Sequence, residues 1–255
     1  MKNRVFSVFV VLFLSVLILL PLSITFLLSV VPAWGQAIPN EFGLIWWKAI
    51  LKPAYVKAVF NTFVVAGLSS ICIIVYGIAG SYLFSYYDFI GKDFLFSMIL
   101  SPTYVSCTVV SLGLIVAYVP LRNTLGMMIL GNFVIVSPFV MKYMHSSMSQ
   151  ISKDLIEASY SLGSSKINTF MKVILPLSRH GILAGIILSV GMCISALSIM
   201  LMLYNAEWIT IPIYIYLENT TGTLGIAGVF STILIVVTLM TVYLVDYVSE
   251  KYGRF

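Results

Sequence analysis

Long apolar runs separated by short polar intervals dominate the chain. Six runs reach the roughly 20 residues that carry a helix across the hydrocarbon core of a bilayer. They cover residues 6–31, 59–84, 94–119, about 124–144, 181–203 and 224–245. None alternates polar and apolar positions, so the pattern predicts helices rather than barrel strands, the only two structures that satisfy their own backbone in lipid. The first run starts behind Lys2 and Arg4, as a signal peptide would. Its apolar stretch is far longer than the roughly 7–15 residues of a signal peptide, and predicts an uncleaved anchor.

One interval differs from the rest. Between the fourth and fifth runs, residues 146–180 turn polar and cationic. Ile151, Leu155, Ala158 and Leu162 recur there at helical spacing and predict one apolar stripe. Ser152 is placed to cap that helix, Asp154 suits its first turn, and Gly163 sits where a left-handed residue would end it. Ile167, Phe170, Met171 and Ile174 predict a second helix, starting at Ser164 or Ser165 and stopped by Pro176. The first piece is too short to span and too amphipathic for a core. It should lie at the membrane surface with a face free for a soluble partner.

Composition agrees with a membrane protein. The 255 residues are 60% hydrophobic and 9% charged, where soluble domains carry roughly 25% charged residues. The formal charge of +5 comes with no basic patch interleaved with aromatics, so nucleic acid is not a predicted partner. Cys72, Cys107 and Cys193 are dispersed in apolar runs and read as small buried hydrophobes. Only His145 and His180 supply imidazole, and no ligand cluster predicts a metal.

Lysines and arginines orient the runs. With the N-terminus inside, Lys2, Arg4, Lys92, Lys142, Lys153, Lys166, Lys172, Arg179, Lys251 and Arg254 are inner; Lys48, Lys52, Lys57 and Arg122 are outer. The positive-inside rule then places both termini and the 146–180 interval in the cytoplasm. Outer loops fall at about 32–58 and 204–223, with a turn at 120–123. Trp34, Trp46, Trp47 and Trp208 fall in these loops, either as an interfacial belt or as loop packing. Pro21, Pro102 and Pro138 interrupt runs one, three and four, as tolerated kinks or as elements that shape a pathway. The predicted organisation is an anchor and outer loop over 1–58, a core over 59–246 and a tail over 247–255.

The runs hold no Asp, Glu, Lys or Arg near their centres, where ion-coupled carriers place relays. No GxSxG, HExxH or Walker GxxxxGK[ST] motif occurs, so no catalytic residue and no ATP site is predicted in this chain. A membrane-embedded enzyme and a self-sufficient carrier are the competing readings. The favoured one is a passive conduit that needs external power.

Glu157-Ala158-Ser159, Gly163 and Val173-Ile174-Leu175-Pro176 fit the spacing EAA-x3-G-x9-I-x-LP. This resembles the signature loop of permease subunits of binding-protein-dependent ABC importers. Asn61-Thr62, FIGKDF at 89–94, Pro102, Asn123-Thr124 and GILAG at 181–185 resemble the same family's pattern, from about residue 55 onward. Ser159 and Ser164 replace alanines and Val173 replaces Ile, all conservative in volume. The resemblance implies an all-α fold of six membrane helices, like type I importer permeases, in the bacterial inner membrane. It implies two permease chains, ATPase subunits carrying ATP and magnesium, and a periplasmic or lipid-anchored solute-binding protein. Coupling to the ATPase would use Glu157, Ala158, Ser159, Gly163, Leu175 and Pro176. The pathway would be lined by small and polar residues such as Asn132 and Ser195. Residues 201–227 resemble the last outer loop of polyamine, thiamine, ferric-iron and phosphonate permeases. SALSIM at 195–200 lacks the Glu-Phe or Gly-Glu of many iron, sulfate and molybdate relatives.

Overall fold

The computed structural model describes residues 2–32 and 41–252, and Trp34 lies outside them. The described residues form helices joined by short turns. They comprise α1 (Lys2–Val30), α2 (Ile45–Ala49), α3 (Pro53–Tyr86), α4 (Lys92–Leu100) and α5 (Cys107–Ala117). α6 (Leu125–Met148), α7 (Lys153–Ser161), α8 (Lys166–Thr169), α9 (Leu175–Leu177) and α10 (Arg179–Ile194) follow. α11 (Leu197–Leu203), α12 (Ile211–Thr221) and α13 (Leu224–Tyr252) complete the series.

Among the described residues, four helices are each long and apolar enough to cross a membrane alone: α1, α3, α6 and α13. Six crossings result if two bent pairs each count as one. The predicted third run is one of these pairs, so the uniform helix over 94–119 is corrected. α4 tightens into a 3-10 turn over Ser101–Tyr104, Val105 is extended, and α5 leaves at 110°. Pro102, which has no amide hydrogen, sits in that turn. Pro21 and Pro138, by contrast, lie inside unbroken helices. The fifth run is also broken: α10 ends at Ile194 and α11 restarts at Leu197. Both predicted outer loops carry helix, α2 with the first turns of α3 in one and α12 in the other.

The chain forms two compact units. One joins residues 1–60 with 210–237. Its core is Ile211, Ile226 and Phe230, against which Trp46, Tyr55 and Tyr214 pack. The Trp46 indole donates to the Val31 carbonyl at 2.8 Å and occupies the space a side chain at residue 225 would need, so Gly225 has none. Trp46 is thus a packing residue. The Tyr55 hydroxyl donates to Glu218 Oε1 at 2.7 Å.

The second unit joins residues 61–209 with 238–255. α6 is its central element. Met127, Met128, Met141, Met144 and Met148 on α6 are all fully buried, as unbranched thioethers that fill irregular gaps. A Cβ on Gly77 of α3 would meet Met144 Sδ and Val140 Cγ1, both at 3.0 Å; Gly185 of α10 faces the same two residues. Small residues on α3 and α10 therefore bring both helices close to one site on α6, the packing that lipid-embedded helices use in place of a hydrophobic driving force. Polar bonds run inward: Ser81 Oγ donates to the Met141 carbonyl at 3.2 Å and Tyr86 Oη to the Met148 carbonyl at 2.7 Å. Large apolar side chains such as Ile71, Val75 and Val109 face outward. Polar residues inside and apolar residues outside suit a bilayer as the surrounding medium.

Candidate coupling surface

The residues of the signature loop form a rigid, capped elbow. Ser152 Oγ accepts from the Asp154 amide at 3.2 Å and starts α7. α7 ends at Gly163, whose φ of +84° is left-handed. The Gly163 amide donates to the Tyr160 carbonyl at 2.9 Å, and the Ser164 amide to the Ser159 carbonyl at 3.1 Å. These are the paired bonds of a Schellman motif, which satisfy two helix-end carbonyls at once. Ser165 Oγ then accepts from the Asn168 amide at 3.3 Å and starts α8.

The second helix is not stopped by Pro176, contrary to the expectation. α8 passes into a π turn over Phe170–Ile174, and Pro176 sits in the first turn of α9, where its missing amide hydrogen is tolerated. The bend of 74° lies at Ser178, beyond the proline, before α10. Ser178 Oγ donates to the Ile174 carbonyl at 2.7 Å, giving the bend a local partner.

The elbow's inner side is small and polar. Ser159 and Thr169 hydroxyls meet at 3.0 Å and tie α7 to α8. Ile156, Thr169 and Ile174 are buried. Of the predicted stripe, Leu155, Ala158 and Leu162 are exposed and Ile151 is half-buried, while Ile156, outside the stripe, is buried. Leu162 is 89% exposed, Ile167 is 76% exposed, and Leu155 and Met171 are also open. Glu157 and Ala158 lie on the open side, Leu175 is half-buried and Pro176 exposed. The six predicted coupling residues thus fall on one continuous elbow.

Asp88, in the turn after α3, stands between Lys92 of α4 and Lys153 of α7. Asp88 Oδ1 accepts from Lys92 Nζ at 2.8 Å, and its Oδ2 lies 3.8 Å from Lys153 Nζ. The Lys92 hydrogen bond and charge hold the Asp88 carboxyl below the usual carboxylate range, and Lys153 adds to this. Asp88 was not singled out from sequence, although its i,i+4 spacing to Lys92 is a readable signal. Glu157 instead borders a concavity of about 320 Å³ with Tyr82, Tyr86, Tyr160, Lys153 and Lys166.

The two predicted pathway residues lie apart. Asn132 of α6 is fully buried, and its Nδ2 donates to Ser69 Oγ of α3 at 3.3 Å. Its Oδ1 has no protein partner among the described residues. Ser195 is exposed at the break between α10 and α11, its hydroxyl donating to the Gly191 carbonyl at 2.8 Å. Among the described residues no group of three potential metal ligands occurs.

No family model matches the chain. Curated relatives do, over most of its length. A Salmonella typhimurium permease protein assigned to 2-aminoethylphosphonate transport is 23% identical over 239 residues, 92% of this chain and 90% of that one. The Escherichia coli spermidine/putrescine transport system permease protein is 38% identical over 77 residues, 30% of this chain and 28% of that one. Among solved structures, a bacterial ABC transporter that imports alginate superposes with a TM-score of 0.79 at 15% identity, covering 97% of this chain and 95% of that one. The MetNI methionine ABC transporter superposes with a TM-score of 0.64 at 16% identity, over 78% and 96%. The class is a multi-pass membrane protein with the all-α fold of type I ABC importer permeases. The chain is an ABC transporter permease subunit.

Proposed function

We propose that residues 152–176 are the surface through which a separate ATPase subunit drives this permease. The observation that carries the proposal is the set of exposed apolar side chains on the elbow, Leu155, Leu162 and Met171, on a segment capped at both of its helix starts. Water alone gives no reason to hold so many large apolar groups outward on a rigid scaffold, whereas a partner groove does. Glu157 adds an acceptor for a basic or backbone donor of that partner, and exposed Ala158 allows close approach. The π turn and the bend at Ser178 join the elbow to α10, so tilting of the elbow would move that helix as a rigid body.

In this reading the elbow and both termini face the cytoplasm of a bacterium, and the chain sits in its inner membrane. The further partners are a second permease chain, identical or homologous, and a solute-binding protein on the outside. One superposed structure, the alginate transporter, was solved with its periplasmic protein bound, which supports the last expectation. ATP and magnesium belong to the ATPase subunits. Asn132 and Ser195 belong to the solute pathway. The solute is small and polar, of the phosphonate, polyamine, thiamine or ferric-iron class, supported by transport systems named for several of these among the relatives.

The test is co-purification of the chain with its ATPase, followed by solute uptake in vesicles. Leu162→Asp and Glu157→Lys should each lower ATPase retention about tenfold and abolish uptake, while the permease remains in the membrane. Full retention and uptake in both variants would remove the elbow from the coupling role.

A further inference from the structure

Beside the elbow lies a groove whose two ends differ in chemistry. Its apolar part, about 530 Å³, runs along α3 past Val75, Ile78 and Ala79 and is closed on the other side by Ile167 and Phe170. Next to it lies the concavity of about 320 Å³ that holds Lys153, Lys166 and Tyr160. Tyr82, Tyr87 and Lys166 border both, so the two are neighbours along one surface.

The polar end is cationic and supplies hydrogen-bond donors. Two ammonium groups stand against the one carboxylate of Glu157. Lys166 Nζ lies over the Tyr87 ring, 5.6 Å from its centroid, and makes no ion pair among the described residues. Lys153 has only the looser contact with Asp88, at 3.8 Å against 2.8 Å for Lys92. Both lysines are therefore available to an anion, since a cation without a tight partner keeps its full attraction for one. Three tyrosines end the α3 side of the mouth, as aromatic residues do at the level of lipid headgroups. The apolar arm is exposed along the outward face of a membrane-crossing helix, with Val75 and Ile167 open.

We infer that this groove binds one anionic phospholipid, with its phosphate between Lys153 and Lys166 and one acyl chain along Val75, Ile78 and Ile167. The match is one of charge and of shape together: an anion at the aromatic mouth and hydrocarbon beyond it. Basic pockets between membrane helices take anionic headgroups for the same reason. The inference needs the chain in a bilayer but not the ATPase role of the elbow, and it is tested on the permease alone.

The experiment is native mass spectrometry of the full chain released from micelles containing phosphatidylglycerol or phosphatidylcholine of matched acyl chains. One phosphatidylglycerol should stay bound at least tenfold more than phosphatidylcholine. The double variant Lys153→Ala/Lys166→Ala should lose that preference, while Lys48→Ala/Lys57→Ala keeps it. Val75→Trp, which fills the apolar arm, should also lose the lipid. Excess inorganic phosphate should not displace it. Equal retention of both lipids, or an unchanged preference in the lysine variant, would overturn the inference. So would displacement by phosphate, which would mark a site for a free anion. Stoichiometric crosslinking of Val75→Cys between two copies would also overturn it, by showing that a second chain covers the groove.

Discussion

The Ser164 amide donates to the carbonyl of Ser159 across Gly163, at 3.1 Å. That bond closes α7, and it exists only because Gly163 holds a φ of +84°. Any other L-residue there meets its own backbone, at a cost of about 1–2 kcal/mol. Gly163→Ala should speed hydrogen exchange of the Gly163 and Ser164 amides about tenfold, and Gly163→Val more. Gly163→Asn, which tolerates the left-handed region, should be milder. No collision with the rest of the protein adds to this local strain, because beyond its chain neighbours a Cβ at this position meets nothing within 4 Å.

Gly77 and Gly185 approach Val140 and Met144 from two helices. Gly77→Val or Gly185→Val should therefore overpack α6 and destabilise the unit by about 1–3 kcal/mol. Thermal unfolding in detergent measures this. Gly113, in α5, has open space beside it, so Gly113→Ala should be neutral or should stabilise by up to about 1 kcal/mol through helix propensity.

Tyr55 Oη and Glu218 Oε1 meet at 2.7 Å, and Tyr55 also packs edge-on against Tyr214 and Phe230 at 5.1 and 5.4 Å. Tyr55→Phe keeps the ring contacts and removes only the bond, at a cost of about 1–2 kcal/mol. Glu218→Gln retains a carbonyl acceptor and should cost less. The difference in midpoint temperature between the two variants separates the bond from the packing.

Asp88 predicts a pH dependence with a defined sign. Its carboxyl is depressed in the folded protein by Lys92 and then Lys153. Such a group attaches α7 fully above the ordinary carboxylate value of about 4, and the attachment is lost as pH falls through the lower folded value. A spin label at Gln150→Cys should keep constant mobility from pH 8 to about 4 and loosen below. Asp88→Asn should be mobile throughout. The exposed position makes the effect small and sensitive to salt.

Much of this arrangement was readable from residue order. Ser152, Asp154 and Gly163 announce one capped helix because caps are local: a side chain or a positive φ satisfies backbone groups within a turn. The structure adds a cap at Thr124 that was not read from residue order, its hydroxyl accepting from the Met127 amide at the start of α6. The break of the third run was less legible. Pro102, Pro21 and Pro138 look alike in sequence, yet only Pro102 coincides with a sharp bend. Whether a helix continues past a proline depends on what packs around it. Pro138, buried in α6, is flanked by tightly packed Val136 and Val140.

Periodicity grouped the apolar stripe of α7 but did not say which side chain packs against the chain itself. Leu155 and Leu162 form the stronger apolar stripe, yet Ile156 is the side chain that turns inward. A hydrophobic pattern reports which residues share a helix face, and an amphipathic elbow can bury either face, against its own chain or against another.

The sequence alone determined that this chain lives in lipid, crosses it as helices and interrupts them with one capped elbow, because burial in hydrocarbon and helix capping are settled within a run or a turn. Tertiary structure alone decided which glycines serve as close contacts and how Lys153 and Lys166 come to share one mouth with the tyrosines. Those relations join residues distant in the chain, and the packing of α3, α6 and α10 brings them together.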